Sequence, residues 1–266
     1  MIEESFAANF IPYVTNFLNN PGRINTGRKP ESFIQFYNGY DSRRDIERIQ
    51  DAPEGSVAVI NITGAITKHD QDCGPDGMQS KASVLRACFS TENIKGVVLK
   101  IDSGGGEGMA MRLMSEALSE KNKPVIAFID DRACSAAYGI ASSADYIVAN
   151  SDLAQIGSIG TYLTIADYEK FYEKQGIKLT EIYASLSTDK NKDYYEALKG
   201  NLEPLRKVAD HFNESFLSMI EKNRKEKLTA DRKVWGTGKV WFAQEALELG
   251  LIDEINTFSN TLNSFI

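Results

Sequence analysis

Gly96-Val97-Val98-Leu99-Lys100-Ile101-Asp102-Ser103-Gly104-Gly105-Gly106 is the stretch from which the fold is read. Its first half is a short apolar run of the kind that forms a strand buried on both faces, and its second half is a glycine turn. A helical pattern follows from about residue 107. The same order recurs downstream, where Val125-Ile126-Ala127-Phe128-Ile129 leads to Ala133-Cys134-Ser135-Ala136-Ala137-Tyr138 and then to another helical pattern. Two such strand-to-helix turns in one sheet form a frame for acyl transfer. Consecutive glycines can offer backbone N–H groups to an oxyanion, and a serine at a helix N-terminus can serve as nucleophile.

The flanking sequence extends this pattern in both directions. Val57-Ala58-Val59-Ile60-Asn61-Ile62 predicts a strand ended by Gly64, a polar loop runs from 68 to 77, and residues 79–89 predict a helix. Helices over 107–119 and up to Ser143 alternate with strands at 96–101, 124–129 and 146–149. This alternation predicts an α/β fold with a mainly parallel sheet and flanking helices, whose ligands bind at the carboxyl ends of the strands. Farther on, the spacing predicts a helix at 164–175, a strand at 178–184, and a long helix over 203–226. A last helix at 242–249 ends at Gly250. At the other end, Phe6, Phe10, Val14, Phe17 and Leu18 recur at helical spacing, and a polar, proline-containing arm follows to residue 55. Within that arm, residues 32–37 can add a strand to the sheet.

Composition narrows the function. A formal net charge of −7 argues against nucleic-acid partners, which call for basic stripes. No apolar run reaches the roughly 18 residues of a membrane span, and the N-terminus lacks the order of a signal peptide, so a cytoplasmic protein without an integral membrane segment is expected. Three cysteines, Cys73, Cys88 and Cys134, fit neither a disulfide framework nor a zinc site, so no metal and no cofactor are expected. The glycine turn is no dinucleotide fingerprint, because Met109 stands where the last glycine belongs.

Ser135 has two readings at its position: a helix N-cap, or a nucleophile set among residues small enough for a peptide to reach. A serine nucleophile needs a base. Only His69 and His211 are present, one in the polar loop and one within the long helix, and neither directly follows a strand end. A lysine can replace histidine where burial disfavours its ammonium form, but spacing alone does not choose among the lysines.

Together these segments resemble the signal peptide peptidase A family of Ser/Lys peptidases, which includes phage head-maturation proteases and has the Clp-protease/crotonase fold. The resemblance runs over residues 56–256. It rests on the 97–106 stretch, on Ser135-Ala136-Ala137-Tyr138 with Ala141-Ser142-Ser143-Ala144-Asp145, on Gly157-Ser158-Ile159-Gly160, and on 246–253. It implies a peptidase domain at 56–256, between an N-terminal helix and arm at 1–55 and a tail at 257–266. It further implies that Ser135 is the nucleophile, that Lys192 in Asp189-Lys190-Asn191-Lys192-Asp193 is the base with Lys190 as fallback, and that Ser158 supports the lysine. Gly105 and the Ala136 N–H would form the oxyanion hole. Two departures stand out: Ser103-Gly104-Gly105-Gly106 replaces the usual Ser-Pro-Gly-Gly, and Lys239 and Ala243 stand where an arginine and a glycine are common. The implied activity is a serine endopeptidase acting on proteins or peptides, such as phage scaffold and capsid proteins in assembling heads or signal-peptide-like substrates, and working as a homo-oligomer. The alternative is a relative that has lost proteolysis and serves as an assembly or scaffold module.

Overall fold

The computed structural model describes residues 34–38, 42–44, 49–71 and 74–265. The helix expected within residues 6–18 lies outside them, as does Cys73. By contact density the chain divides into two compact units. One comprises the chain up to Gly160 and again from Phe216 on, and the other is Thr161–Ser215.

The first unit is built on the expected parallel sheet. Strands β1 (Ile34–Tyr37), β2 (Ser42–Arg44), β3 (Ser56–Thr63), β4 (Ile94–Ser103), β5 (Val125–Cys134), β6 (Tyr146–Ala149), β7 (Gln155–Gly157), β8 (Val240–Phe242) and β9 (Glu254–Ile255) belong to a single sheet. Its main path runs β2-β1-β3-β4-β5-β6-β9. Every step from β3 to β9 is parallel, and β1 adds antiparallel to the outside of β3, as the apolar run at 32–37 suggested.

The apolar runs are continuous because both faces of the strands are covered. Ala58, Ile60, Val97, Leu99, Ala127 and Ile129 face a core shared with helices α1 (Met78–Ser90), α2 (Gly108–Ser119) and α3 (Ala136–Ser142). Val57, Val59, Val98, Phe128 and Val148 face the other side, where Phe258, Leu262 and Phe265 pack on them. Phe258 and Leu262 lie on a short C-terminal helix, Phe258–Asn263, within the stretch read from sequence as a tail. Phe258 meets Phe128 edge-on at 5.0 Å, so this stretch is part of the core.

Strand β5 changes neighbours along its length, and this shapes the site. Ile126–Ile129 pair with β6, whereas Arg132–Cys134 pair with β7. On its other edge the register with β4 breaks between Ile101 and Ser103: Ile101 faces Ile129, but Ser103 faces Ala133. The residues left over on β5, around Asp130 to Arg132, form a bulge that redirects the end of the strand.

The end of the long helix is tied to the chain that follows Leu249. Helix α6, Glu203–Arg224, carries Pro204 in its first turn, where a missing N–H costs nothing. At its end Arg224 donates from Nε to Gly250 O at 3.0 Å and from Nη1 to Asp253 Oδ2 at 2.9 Å. Burial opposes the charge on Asp253, but the hydrogen bonds from Arg224 and Lys227 outweigh it and hold the carboxyl below its usual range.

The second unit holds helices α4 (Glu169–Lys174) and α5 (Lys192–Leu198) and the first part of α6. Within residues 161–215 Ala197 is the one buried side chain, while Ile182 and Leu186 are 92% and 96% exposed. The strand expected at 178–184 does not form. The sequence there has β-propensity, but among the described residues no strand lies beside it to take up its backbone groups, and a strand is not stable alone. The helix expected at 164–175 is reduced to its second half for a related reason: Tyr162, Leu163 and Tyr168 are exposed and have no core to bury in.

Candidate active site

Register alone brings the sequence-derived turns together. Ser103 faces Ala133 across β4 and β5, and Cys134 faces Gly157 across β5 and β7. The glycine turn, Ser135 and Ser158 therefore leave the carboxyl ends of three adjacent strands, at the edge where ligands of parallel sheets bind.

Ser135 sits between β5 and α3 with φ 55 and ψ −124, a backbone conformation that a non-glycine residue adopts only under constraint. It is 3% exposed. Its hydroxyl makes no cap hydrogen bond, so the N-cap reading of this serine is not what the structure shows. The backbone provides the constraint. Ser135 N–H donates to Gly157 O at 2.8 Å, and Gly139 N–H donates to Ser135 O at 3.0 Å. Ala136, fully buried, is the first residue of α3, where N–H groups have no acceptor within the helix.

The glycine turn is held from the opposite side. Ile66 N–H donates to Gly105 O at 2.9 Å, and Glu107 N–H donates to Ile66 O at 2.9 Å. Gly105 and Gly106 have φ 102 and 159, and a Cβ on Gly106 would lie 2.0 Å from Ile66 O, so the turn needs glycine there. The Gly105 N–H is directed at Ser103 Oγ at 3.1 Å, while that hydroxyl donates to Gly64 O at 2.6 Å. Sequence reasoning did not single out Ser103, although its place directly before the glycines was the available signal.

Ser158 is half-buried with φ 49, and its N–H donates to Lys239 O at 2.8 Å. Asp102, at the end of β4, has its carboxyl raised above the usual range, first by burial and then by Asp131 and Asp130. The two lysines lie elsewhere in the chain. Lys192 opens α5 in the second unit, its side chain 60% exposed and its Nζ 3.3 Å from Asp189 Oδ1. Lys190 is in the turn before it and is also exposed. His69 and His211 are both exposed, His211 in the same unit as Lys192. Among the described residues of the first unit one lysine is buried: Lys81, 2% exposed, whose pKa burial lowers to about 8. Among the described residues no cluster of side chains suited to a metal ion is found, and no helix is long and apolar enough to cross a membrane.

The chain is similar to known proteins. Protease 4 of Haemophilus influenzae is 29% identical over 211 residues, which cover 78% of this chain and 34% of that protein. The head-tail preconnector protein GP5 of Enterobacteria phage P21 is 25% identical over 215 residues, covering 78% of this chain and 42% of that one. The chain thus spans less than half the length of either relative. The solved structure of the 1510-N membrane-bound stomatin-specific protease superposes with a TM-score of 0.52 over 78% of this chain and 82% of that chain, at 16% identity, which is a likeness of fold. The family model described as Peptidase family S49 matches residues 117–265, a span that holds Ser135, Ser158 and Lys192 and exceeds half of the sequence. On that match, the parallel sheet and the serine turn at its carboxyl edge are those of a family member: this chain belongs to peptidase family S49.

Proposed function

We propose that the protein is a serine endopeptidase in which Ser135 is the nucleophile and Lys192 the base. The observation that carries this is the conformation of Ser135: left-handed φ, at a strand-to-helix turn, with a hydroxyl that caps nothing. Strained backbone of this kind persists where the surroundings hold it, and in hydrolases it presents a serine hydroxyl to substrate. In the proposed reaction neutral Lys192 Nζ takes the proton from Ser135 Oγ as the oxygen bonds to the scissile carbonyl carbon. The Gly105 and Ala136 N–H groups hold the resulting oxyanion, with the Gly105 N–H exchanging Ser103 Oγ for it. Lysinium then protonates the leaving amine, the C–N bond breaks, and water attacks the acyl-enzyme by the same route in reverse. Ser158 supports the lysine, and Lys190 is the fallback base.

A lysine works as a base only when water is removed from its ammonium group. Lys192 is 60% exposed. Most of the large apolar side chains that are exposed among the described residues also lie in residues 161–215. A homo-oligomer in which this unit is covered would bury apolar surface and dry the lysine together, and we include such an assembly in the proposal. The phage relative is named a head-tail preconnector protein, which supports a place in phage head assembly, and our proposal extends to scaffold or capsid proteins as substrates, cut in the cytoplasm.

Cleavage of an unstructured protein by wild type, Ser135→Ala, Lys192→Ala and Lys190→Ala tests the assignment. The expected pattern is loss of activity in Ser135→Ala and Lys192→Ala and retention in Lys190→Ala. Full activity in both Ser135→Ala and Lys192→Ala would overturn the mechanism. An inert wild type whose Ser135 resists fluorophosphonate would favour the assembly-module reading.

A further inference from the structure

The strain at Ser135 must be held by something outside its own turn, and the contacts around Gly157 identify what holds it. The partner of the Ser135 N–H is Gly157 O, and Gly157 is itself left-handed, with φ 118. The next residue, Ser158, is left-handed as well, with φ 49. Three residues of positive φ thus meet at one hydrogen bond, and the two that are not glycine, Ser135 and Ser158, persist in such a conformation only where their neighbours over-determine it.

The neighbour is β8. Ile156 and Gly157 pair antiparallel with Trp241 and Val240, and Ser158 N–H donates to Lys239 O. The indole of Trp241 lies against the Cα of Gly157: a Cβ placed there would be 3.0 Å from Trp241 Cδ1 and 2.7 Å from Lys239 O. Lys239 Nζ stands 3.5 Å above the centre of the indole ring and 3.8 Å from Glu245 Oε1. A cation over an indole face at that distance is attracted to it and favours this ring orientation. Trp241 Nε1 is buried and has no hydrogen-bond partner, so the ring is placed by packing and by the ammonium, not by its own polar atom.

We infer that Trp241, held by Lys239, is a positioning residue for Ser135. The indole seats Gly157, Gly157 O anchors the Ser135 amide, and that anchor holds the serine in its strained conformation. Neither residue touches the reacting atoms. The inference about reactivity rests on the reading of Ser135 as nucleophile, whereas the structural link stands without it.

The test combines two readouts on the full chain. Hydrogen exchange of the peptide spanning 133–138 reports the Ser135 amide, and the rate of fluorophosphonate labelling reports its hydroxyl. Trp241→Ala is expected to raise exchange in that peptide and slow labelling by about tenfold or more, while β3 and β4 keep their protection. Trp241→Phe, which restores a ring against Gly157 without the N–H, is expected to recover both readouts to within about threefold of wild type. Lys239→Met should give a partial form of the Trp241→Ala effect, and it carries the test if Trp241→Ala does not fold. Wild-type exchange at 133–138 in Trp241→Ala, or in Lys239→Met where the other fails to fold, would overturn the inference. Ser135→Ala labelling as fast as wild type would instead count against the nucleophile reading, and the exchange readout would still decide the positioning role.

Discussion

Ser103 Oγ accepts from Gly105 N–H at 3.1 Å and donates to Gly64 O at 2.6 Å, so one buried hydroxyl ties the glycine turn to the end of β3. The contact fixes the turn before any substrate arrives. It also occupies an N–H that the proposed oxyanion hole uses. In the proposed reaction that N–H leaves Ser103 Oγ for the oxyanion, an exchange favoured because a hydrogen bond to a full negative charge is stronger than a 3.1 Å bond to a neutral hydroxyl.

Removal of that hydroxyl should therefore damage both folding and catalysis. Ser103→Ala leaves the half-buried Gly64 carbonyl and the buried Gly105 N–H without their partner, at a cost of about 1–3 kcal/mol. Thermal unfolding is expected to show that loss. Peptidase kinetics are expected to show a fall in kcat with KM little changed, because the turn no longer points its N–H groups in one direction. Unaltered kcat in folded Ser103→Ala would show that the turn holds its shape unaided.

Gly157→Ala tests the opposite wall of the site. The new Cβ would lie 2.7 Å from Lys239 O and meet a backbone φ of 118. A main-chain oxygen does not yield as a side chain does, so β7 and β8 must separate. A destabilisation of about 2 kcal/mol or more is expected by urea titration, with the midpoint lowered and the slope unchanged.

Lys81 gives a prediction in pH. Burial lowers its pKa in the folded chain to about 8, below the ordinary lysine value of 10.5. Between those values the unfolded chain binds more protons than the folded one, so stability rises with pH across that window. Below about pH 8 both states are protonated and the contribution is flat. Unfolding free energy measured from pH 7 to 11 is expected to carry this rise in wild type and to lack it in Lys81→Met. An identical rise in both proteins would assign it to other groups.

The Arg224–Asp253 pair should be expensive to break from one side. Arg224 is 1% exposed in its side chain and Asp253 is 9% exposed. Asp253→Ala leaves a buried guanidinium without its carboxylate, and a loss of about 3–5 kcal/mol is expected in chemical unfolding. Since the folded carboxyl is held below its usual range, the pair stabilises above the unfolded carboxylate pKa. That stabilisation fades as pH falls through the folded value, so wild type and Asp253→Ala should converge at low pH.

How far the sequence could be read depended on what each segment packs against. The runs around Val97 and Phe128 are apolar on both faces because helices cover one side and Phe258, Leu262 and Phe265 the other, so their strands were legible from composition alone. The glycine turn and Ser135 were legible because their chemistry is local: small residues at strand ends. The 178–184 segment was not. Its β-favouring residues, Thr180, Ile182 and Tyr183, ask for a partner strand, and a pattern cannot say whether one is there. Trp241 reads as ordinary core in the sequence, because its relation to Ser135 passes through Gly157 O, more than 80 positions away in the chain. The role of Lys192 came from resemblance, since nothing in Asp189-Lys190-Asn191-Lys192-Asp193 distinguishes a base from a solvated loop.

The central claim, that Ser135 is made reactive by Lys192, is met most directly by mapping the fluorophosphonate adduct by mass spectrometry in wild type, Lys190→Ala and Lys192→Ala. The account predicts an adduct on Ser135 in wild type and in Lys190→Ala, forming at least about a hundredfold more slowly in Lys192→Ala. An adduct on another residue, or one on Ser135 that forms at the wild-type rate in Lys192→Ala, would contradict it.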